Sequence, residues 1–335
     1  MKYLFELSKE HRTLPKSEII ACLKAENIVY KIIELNEDVL IIESKSKCDE
    51  IQELAKRLSF TYYVDSLLFS TEPALEKIKK YSLMNRLEQG GSVAINYKNR
   101  SKNIDSRPII KELANSYTKN RDVILENPDN EIRGLITDSR IYVGIKISEV
   151  NRSNFEERKV QNRPYFSPIS LHPKLACALV NLSSIKKDET MLDPFCGTGG
   201  ILIEAGLMGI RVIGSDIEEK MIDGCRRTLD YYQIKNYNLF ISDIGDIYKH
   251  IKEVNAIVTD LPYGKSTTTK GEKMEILYER AFKSMTKLLK SGGKAVIGLS
   301  NKDFLSIGTK YLTQIERHDF RVHKSLIRYF IVYEK

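Results

Sequence analysis

Met191-Leu192-Asp193-Pro194-Phe195-Cys196-Gly197-Thr198-Gly199-Gly200, running on to Ser215-Asp216, is the stretch that decides the fold. It reads as an apolar strand, a glycine turn that opens a helix, a second apolar strand, and an acidic residue at that strand's end. Glycines at 197, 199 and 200 let the backbone turn sharply and approach a ligand closely, where a Cβ would clash or forbid the dihedrals. The amides at the start of the helix then face that ligand. The pattern is that of a nucleotide-binding βαβ unit.

Outward from this block, strands and helices keep alternating from residue 190 to the C-terminus. Strand 190–194 leads to helix 199–208, strand 212–215 to helix 218–232, and strand 239–242 to Asp243. Strand 256–259 is followed by helix 272–290, which Ser291-Gly292-Gly293 is expected to stop. A buried strand at 295–299 and a closing antiparallel pair at 314–318 and 326–333 complete the half. The fold class predicted is α/β, with a doubly wound, mainly parallel sheet that binds ligands at the carboxyl ends of its strands.

Toward the N-terminus, a strand at 2–8, a helix opened by Pro15, runs at 29–35 and 39–43 joined by a hairpin, a helix through Ile51 and Leu58, and a run at 62–69 follow one another. The order βαββαβ suggests an α+β ferredoxin-like module over residues 1–70. A helix after Glu72-Pro73, a strand at 92–97, a helix near 109–117 and strands near 122–125, 134–136 and 141–147 make up residues 71–150. Lys98, Arg100, Lys102, Arg107, Lys119 and Arg121 fall in loops and helix ends there, and are candidates for phosphate contact; the plainer alternative is a solvated loop. Residues 151–166 are polar and non-periodic and read as the linker to a domain at 167–335.

The chain has 335 residues, 42% of them apolar, and five scattered cysteines without a Cys-x-x-Cys pair. That favours two soluble domains, reduced thiols in a cytoplasmic setting and no metal site. No apolar run is long enough for a membrane span, and the acidic, alternating first residues do not suit an export signal. The net charge of +8 suggests a polyanionic partner, yet residues 1–150 carry 24 Lys and Arg against 23 Asp and Glu. Any polyanion contact in that half depends on local clusters.

Residue types narrow the nucleotide. A dinucleotide site wants a third glycine at 202, and Leu202 stands there; a carboxylate at 193 would repel a pyrophosphate but attract an ammonium group. Asp216 is placed to accept ribose hydroxyls, and Asp243, at the third strand's end, to meet an adenine amine. At the fourth strand's end comes Asp260-Leu261-Pro262-Tyr263. An exocyclic amine on a base is a poor nucleophile, because its lone pair is delocalised into the ring. It needs acceptors that draw its nitrogen toward tetrahedral geometry, which Asp260 and the next backbone carbonyl can supply. Tyr263 can stack on a flipped base, a contact worth roughly 1–3 kcal/mol. The loop at 264–271 carries Lys265 and Lys270.

These motifs resemble class I S-adenosylmethionine-dependent methyltransferases acting on nucleobase amino groups. Together with Arg163-Pro164-Tyr165-Phe166-Ser167-Pro168-Ile169-Ser170-Leu171-His172-Pro173, the chain resembles the archaeal THUMP-domain tRNA guanosine-10 N2-methyltransferases. The resemblance implies a Rossmann-like seven-stranded catalytic domain behind a ferredoxin-like module and a THUMP domain that grips tRNA. It implies cofactor contacts from Asp193, Phe195, Cys196, Gly197, Thr198, Gly199, Asp216, Ile217, Asp243 and Ile244, and a target guanine held by Asp260, Leu261, Pro262 and Tyr263. The basic residues named above, with Lys265 and Lys270, would meet RNA. Leu261 departs from the proline usual at that place, which loosens the turn but keeps the carbonyl. Transfer to another guanosine, such as position 6, or to ribosomal RNA, and a dinucleotide-dependent oxidoreductase are the alternatives. A monomer is expected, with an accessory activator subunit left open.

Overall fold

The computed structural model describes residues 1–87, 90–166, 170–262, 272–323 and 326–335, and the backbone alone of 322, 323 and 326. The chain forms two compact units. Unit 1 comprises Met1–Glu10, Ile28–Lys56 and Thr61–Val150; unit 2 comprises His11–Asn27, Arg57–Phe60 and Asn151–Lys335.

The first 150 residues run β1 (Lys2–Leu7), α1 (Leu14–Ala25), β2 (Tyr30–Leu35), β3 (Val39–Ser44), α2 (Cys48–Ala55), β4 (Thr61–Thr71), α3 (Leu75–Met84), β5 (Val93–Asn99), α4 (Ser106–Tyr117), β6 (Asn130–Ile136) and β7 (Ile141–Glu149). The strands make one seven-stranded sheet in the order β2-β3-β1-β4-β7-β6-β5. Its first four strands have the antiparallel ferredoxin-like order, but no boundary falls at residue 70, because β4 pairs directly with β7 from Tyr63–Glu149 to Thr71–Ile141. The strand expected near 122–125 is a single parallel bridge between Val93 and Val123.

Helix α1 belongs to unit 2 rather than to the module expected at 1–70. The reason is a buried carboxylate. Glu18, fully enclosed on α1, accepts from the Ser59 amide at 2.9 Å, the Ser59 hydroxyl at 2.6 Å, the Phe60 amide at 2.8 Å and Asn181 Nδ2 at 2.9 Å. Leaving that carboxylate unmatched would cost several times an ordinary hydrogen bond, so the helix stays with its four donors.

Unit 2 continues with α5 (Ser153–Glu157), α6 (Pro173–Leu182), β8 (Thr190–Asp193), α7 (Gly200–Leu207), β9 (Arg211–Asp216), α8 (Glu219–Tyr231), β10 (Tyr237–Ile241), β11 (Val254–Asp260), α9 (Met274–Leu288), β12 (Leu289–Leu299), α10 (Leu305–Gly308), β13 (Thr313–His323) and β14 (Leu326–Glu334). The sheet order is β10-β9-β8-β11-β12-β14-β13. β10, β9, β8, β11 and β12 are mutually parallel, and β14 pairs antiparallel with both β12 and β13. This is the α/β Rossmann-like sheet expected. Its central strands are continuous apolar runs because helices cover both faces. One face is packed by Leu175, Leu179 and Leu202 against Val258 and Val296, the other by Leu277, Tyr278 and Phe282 against Ile257 and Ile297.

Two expectations are corrected. Residues 151–166 are no linker: they hold α5 and a 3-10 turn at Val160–Asn162, and they bury Phe155 and Arg163 within unit 2. Helix α9 stops at Leu288, short of the glycines, since Leu289 already pairs with Val254 of β11.

Candidate functional site

Strand order reverses between β8 and β11, and these neighbouring strands end in Asp193 and Asp260, close enough for their charges to interact. In doubly wound sheets the crevice at such a reversal is the ligand site. The glycine turn closes it from one side. Gly197 and Gly199 have φ of +51° and +83°. A Cβ on Gly199 would lie 2.7 Å from the Cys225 sulfur, whereas one on Gly197 would meet nothing within 4 Å. Gly197 therefore borders open space among the described residues. Thr198 is buried.

Asp193 is 1% exposed. Its Oδ1 accepts from the Phe195 amide at 3.2 Å and from the Thr259 hydroxyl at 2.6 Å. Burial pushes its pKa up to about 7, against those hydrogen bonds, and the carboxylates of Asp216 and Asp260 push the same way. Asp216 accepts from the Gly197 amide and the Glu218 amide, both at 3.0 Å, which ties the end of β9 to the glycine turn; burial raises its pKa as well. Carboxylates that oppose one another's ionisation around an open glycine turn suit a cationic ligand, whose charge relieves all of them. An S-adenosylmethionine ammonium and sulfonium meet that requirement.

Asp243 accepts from the Gly245 amide at 2.7 Å and holds Arg280 through both oxygens, at 2.6 and 3.1 Å. Arg280 also binds Glu272 at 2.9 Å through two nitrogens. Phe195 and Ile217 are half-buried at the site's edge. Cys196 and Ile244, expected among the cofactor contacts, turn their side chains into the two apolar clusters of the core, so that only their backbone is left for a ligand.

At the end of β11, Asp260 Oδ2 pairs with Arg328 Nη1 at 2.8 Å, both side chains being 13% exposed. The Leu261 side chain is fully buried and its amide donates to the Gly298 carbonyl at 3.0 Å. The Pro262 carbonyl accepts from the Tyr278 hydroxyl at 2.6 Å. Tyr263, Lys265 and Lys270 lie outside the described residues. Sequence reasoning missed Thr259, Tyr278, Arg280 and Arg328. Arg328 had a signal: it is the one basic residue inside the apolar run of β14.

The basic residues of unit 1 divide. Lys98, Lys102, Arg107 and Lys119 are exposed. Arg107 folds back on Asp105, the N-cap of its own helix, at 2.8 Å. Arg121 donates to the Leu87 and Gly91 carbonyls. Arg100 is no phosphate ligand: 9% exposed, it pairs with Glu6 at 2.8 Å and Asp38 at 2.7 Å, and donates to the Leu7 carbonyl at 3.0 Å. A guanidinium enclosed by two carboxylates has no charge left for RNA.

A family model for the RMKL-like methyltransferase domain matches residues 161–329, and one for DNA methylase matches residues 93–227. The tRNA (guanine(10)-N2)-dimethyltransferase of Methanothermobacter thermautotrophicus is 33% identical over the whole of both chains. That of Methanocaldococcus jannaschii is 29% identical over 99% of each, and that of Pyrococcus abyssi 42% identical over 63% of this chain and 64% of its own. Among solved structures, TrmN from Thermus thermophilus aligns with a TM-score of 0.57 at 16% identity over all of both chains. SMU.472, solved in complex with SAH, aligns with a TM-score of 0.54 at 13% identity over 99% of this chain and 98% of its own. These two share the fold. With a full-length relative at this identity and the methyltransferase-domain match across the whole site, the chain belongs to the tRNA (guanine(10)-N2)-dimethyltransferase family of RMKL-like methyltransferases.

Proposed function

We propose that the chain transfers methyl groups from S-adenosylmethionine to N2 of guanosine 10 in tRNA, giving N2-methylguanosine and then N2,N2-dimethylguanosine. The observation that carries the chemistry is the Asp260 carboxylate, held by Arg328 at the end of β11, next to the strand whose Asp193 feels its charge. An acceptor for an amine stands beside a pocket for a cationic donor. The relatives' shared activity supplies the nucleotide.

S-adenosylmethionine brings an electrophilic methyl group on its sulfonium. Asp193 would hold the ammonium of its amino acid part, Asp216 would accept from the ribose hydroxyls, and Phe195, Ile217 and Asp243 would border the adenine. Asp260 and the Leu261 carbonyl would accept hydrogen bonds from the N2 amino group of the guanine, drawing the nitrogen's lone pair out of the ring and aligning it with the methyl group; as the N2–C bond forms the C–S bond breaks, S-adenosylhomocysteine leaves and one N2 proton passes to solvent. The Pro262 carbonyl accepts from the Tyr278 hydroxyl. A dinucleotide reading loses to the same residues, because Asp193 would face a pyrophosphate.

Unit 1 serves as the THUMP-type tRNA-gripping half, with exposed Lys98, Lys102 and Lys119 as its phosphate contacts. The enzyme works as a monomer, in the cytoplasm with its substrate. The test is to incubate the purified chain alone with unmodified tRNA and labelled S-adenosylmethionine, then digest and map the label by mass spectrometry. Label on N2 of guanosine 10 is expected, without an added subunit. Label on a base carbon or a ribose would overturn the reading, and label on another guanosine would move the target.

A further inference from the structure

Under the turn at the end of β11 lies a tyrosine whose hydroxyl is spent on one backbone atom. Tyr278 of α9 is fully buried, and its ring belongs to the apolar cluster that holds Ile257, Ile297 and Phe282. Phe304 meets the ring edge to face, with 4.8 Å between centroids. A phenylalanine would fill that place as well. What the tyrosine adds is an O–H that donates to the Pro262 carbonyl at 2.6 Å. A hydroxyl buried without a bond costs free energy, so this bond is what the group contributes.

The Pro262 carbonyl lies one peptide beyond the Leu261 carbonyl, the second acceptor named above. The direction of the Leu261 carbonyl is set from both sides. Upstream, the Leu261 amide donates to the Gly298 carbonyl at 3.0 Å, and the Leu261 side chain is enclosed. Downstream, the Pro262 ring fixes its own φ, and the bond from Tyr278 holds the peptide plane that follows. Between two held planes the Leu261 carbonyl has little room to rotate. Leucine stands at 261 where a proline would stiffen the turn, and the stiffness comes instead from one amide and one phenol. Asp260 is close enough for its charge to act on that phenol, so the bond lies at the site itself.

We propose that Tyr278 is a positioning residue for methyl transfer: its hydroxyl holds the Pro262 carbonyl so that the Leu261 carbonyl keeps its direction toward the guanine amino group, which rests on the acceptor reading given above.

Tyr278→Phe in the full chain tests it, because only the O–H is lost and the packing stays. Under single turnover with unmodified tRNA and saturating S-adenosylmethionine, the variant is expected to transfer methyl about 10- to 100-fold more slowly than wild type, the scale of a small misplacement of a reacting group. Its affinities for tRNA and S-adenosylhomocysteine should stay within about twofold of wild type. The pH profile of its rate should keep the wild-type shape, since burial pushes the phenol's pKa up and the group donates throughout the working range. A wild-type rate in the variant would overturn the proposal. So would a variant that fails to fold, or one that loses cofactor affinity as much as rate, because the hydroxyl would then brace the fold and not the turn. A changed pH profile would make Tyr278 a proton-transfer group and overturn it too. If wild type itself leaves N2 of guanosine unlabelled, the acceptor reading fails, whatever the variant does.

Discussion

Both units bury carboxylates, and the network around Glu6 in unit 1 treats its charges differently from the surroundings of Asp193 in unit 2. In unit 1, Glu6 reaches Arg100 at 2.8 Å and Arg133 at 2.7 Å, Asp65 reaches Arg133 at 2.8 Å, and Asp38 reaches Arg100 at 2.7 Å. The Arg133 guanidinium also lies 3.4 Å from the centre of the Tyr63 ring. In unit 2, Asp193 is equally buried, but its partners among the described residues are a hydroxyl and an amide. Burial takes Asp65 up to about 6 in spite of Arg133, and Asp193 further, to about 7. A network whose charges are matched internally is architecture. A buried carboxylate whose charge is matched by no cation among the described residues is an invitation to one.

The sharpest way to break this comparison is at Asp260. Asp260→Ala should slow single-turnover methyl transfer by about 10³-fold, the scale of a lost positioned acceptor, with tRNA and S-adenosylhomocysteine affinities nearly kept. Lost tRNA binding would move Asp260 out of its role. Next comes Arg133→Met, which strands Asp65 in the interior and leaves Glu6 with Arg100 alone; urea unfolding should report a loss of about 3–5 kcal/mol from unit 1. A neutral outcome there would mean the network is not architecture.

Asp193→Asn should do the opposite. Asn keeps an oxygen for Thr259 and Phe195 and removes the buried charge, so the ligand-free protein gains about 1–3 kcal/mol at pH 8 while S-adenosylhomocysteine binds at least tenfold more weakly. The two effects share one pH window. Because the folded pKa lies above the ordinary carboxylate value of 3.8, this group's contribution to stability is full below pH 4 and lost as pH rises through about 7. The stability gap between wild type and Asp193→Asn should therefore open between those limits and flatten above. Affinity for S-adenosylhomocysteine runs the other way, falling about tenfold per pH unit below 7 as the carboxylate takes up a proton. A pH-independent affinity would remove Asp193 from the ammonium site. The smallest effect belongs to unit 1's surface, where Lys98→Ala and Lys102→Ala should each reduce the salt-dependence slope of tRNA binding by about 1. Slopes unchanged by either would leave these lysines as solvated loop residues.

Much of unit 2 was legible residue by residue. Apolar runs of strand length, glycines at 197 and 199 and acidic residues at strand ends are local signals, and the elements they mark form within a few residues of where the signals stand. The Arg100 reading failed for want of the same locality. An arginine in a loop looks solvated until Glu6 and Asp38, 94 and 62 residues away, come to meet it. For Cys196 and Ile244 the sequence did not show that the side chains turn into the core, since neighbours in sequence alternate between two faces along a strand or turn.

By itself the sequence determined the order of elements, the nucleotide-binding turn and the carboxylates Asp193, Asp216 and Asp260, because backbone preference and hydrophobic period act between near neighbours. Only the tertiary structure decided what those carboxylates meet. Thr259 reaches Asp193 across 66 residues and Arg328 reaches Asp260 across 68, because β11 lies between β8 and β12 and β14 follows β12 in the sheet. It likewise decided that α1 joins unit 2, since the donors that satisfy Glu18 are found at Ser59, Phe60 and Asn181. Charges in an interior are set by whatever the fold brings within about 4 Å, and that distance has no counterpart along the chain.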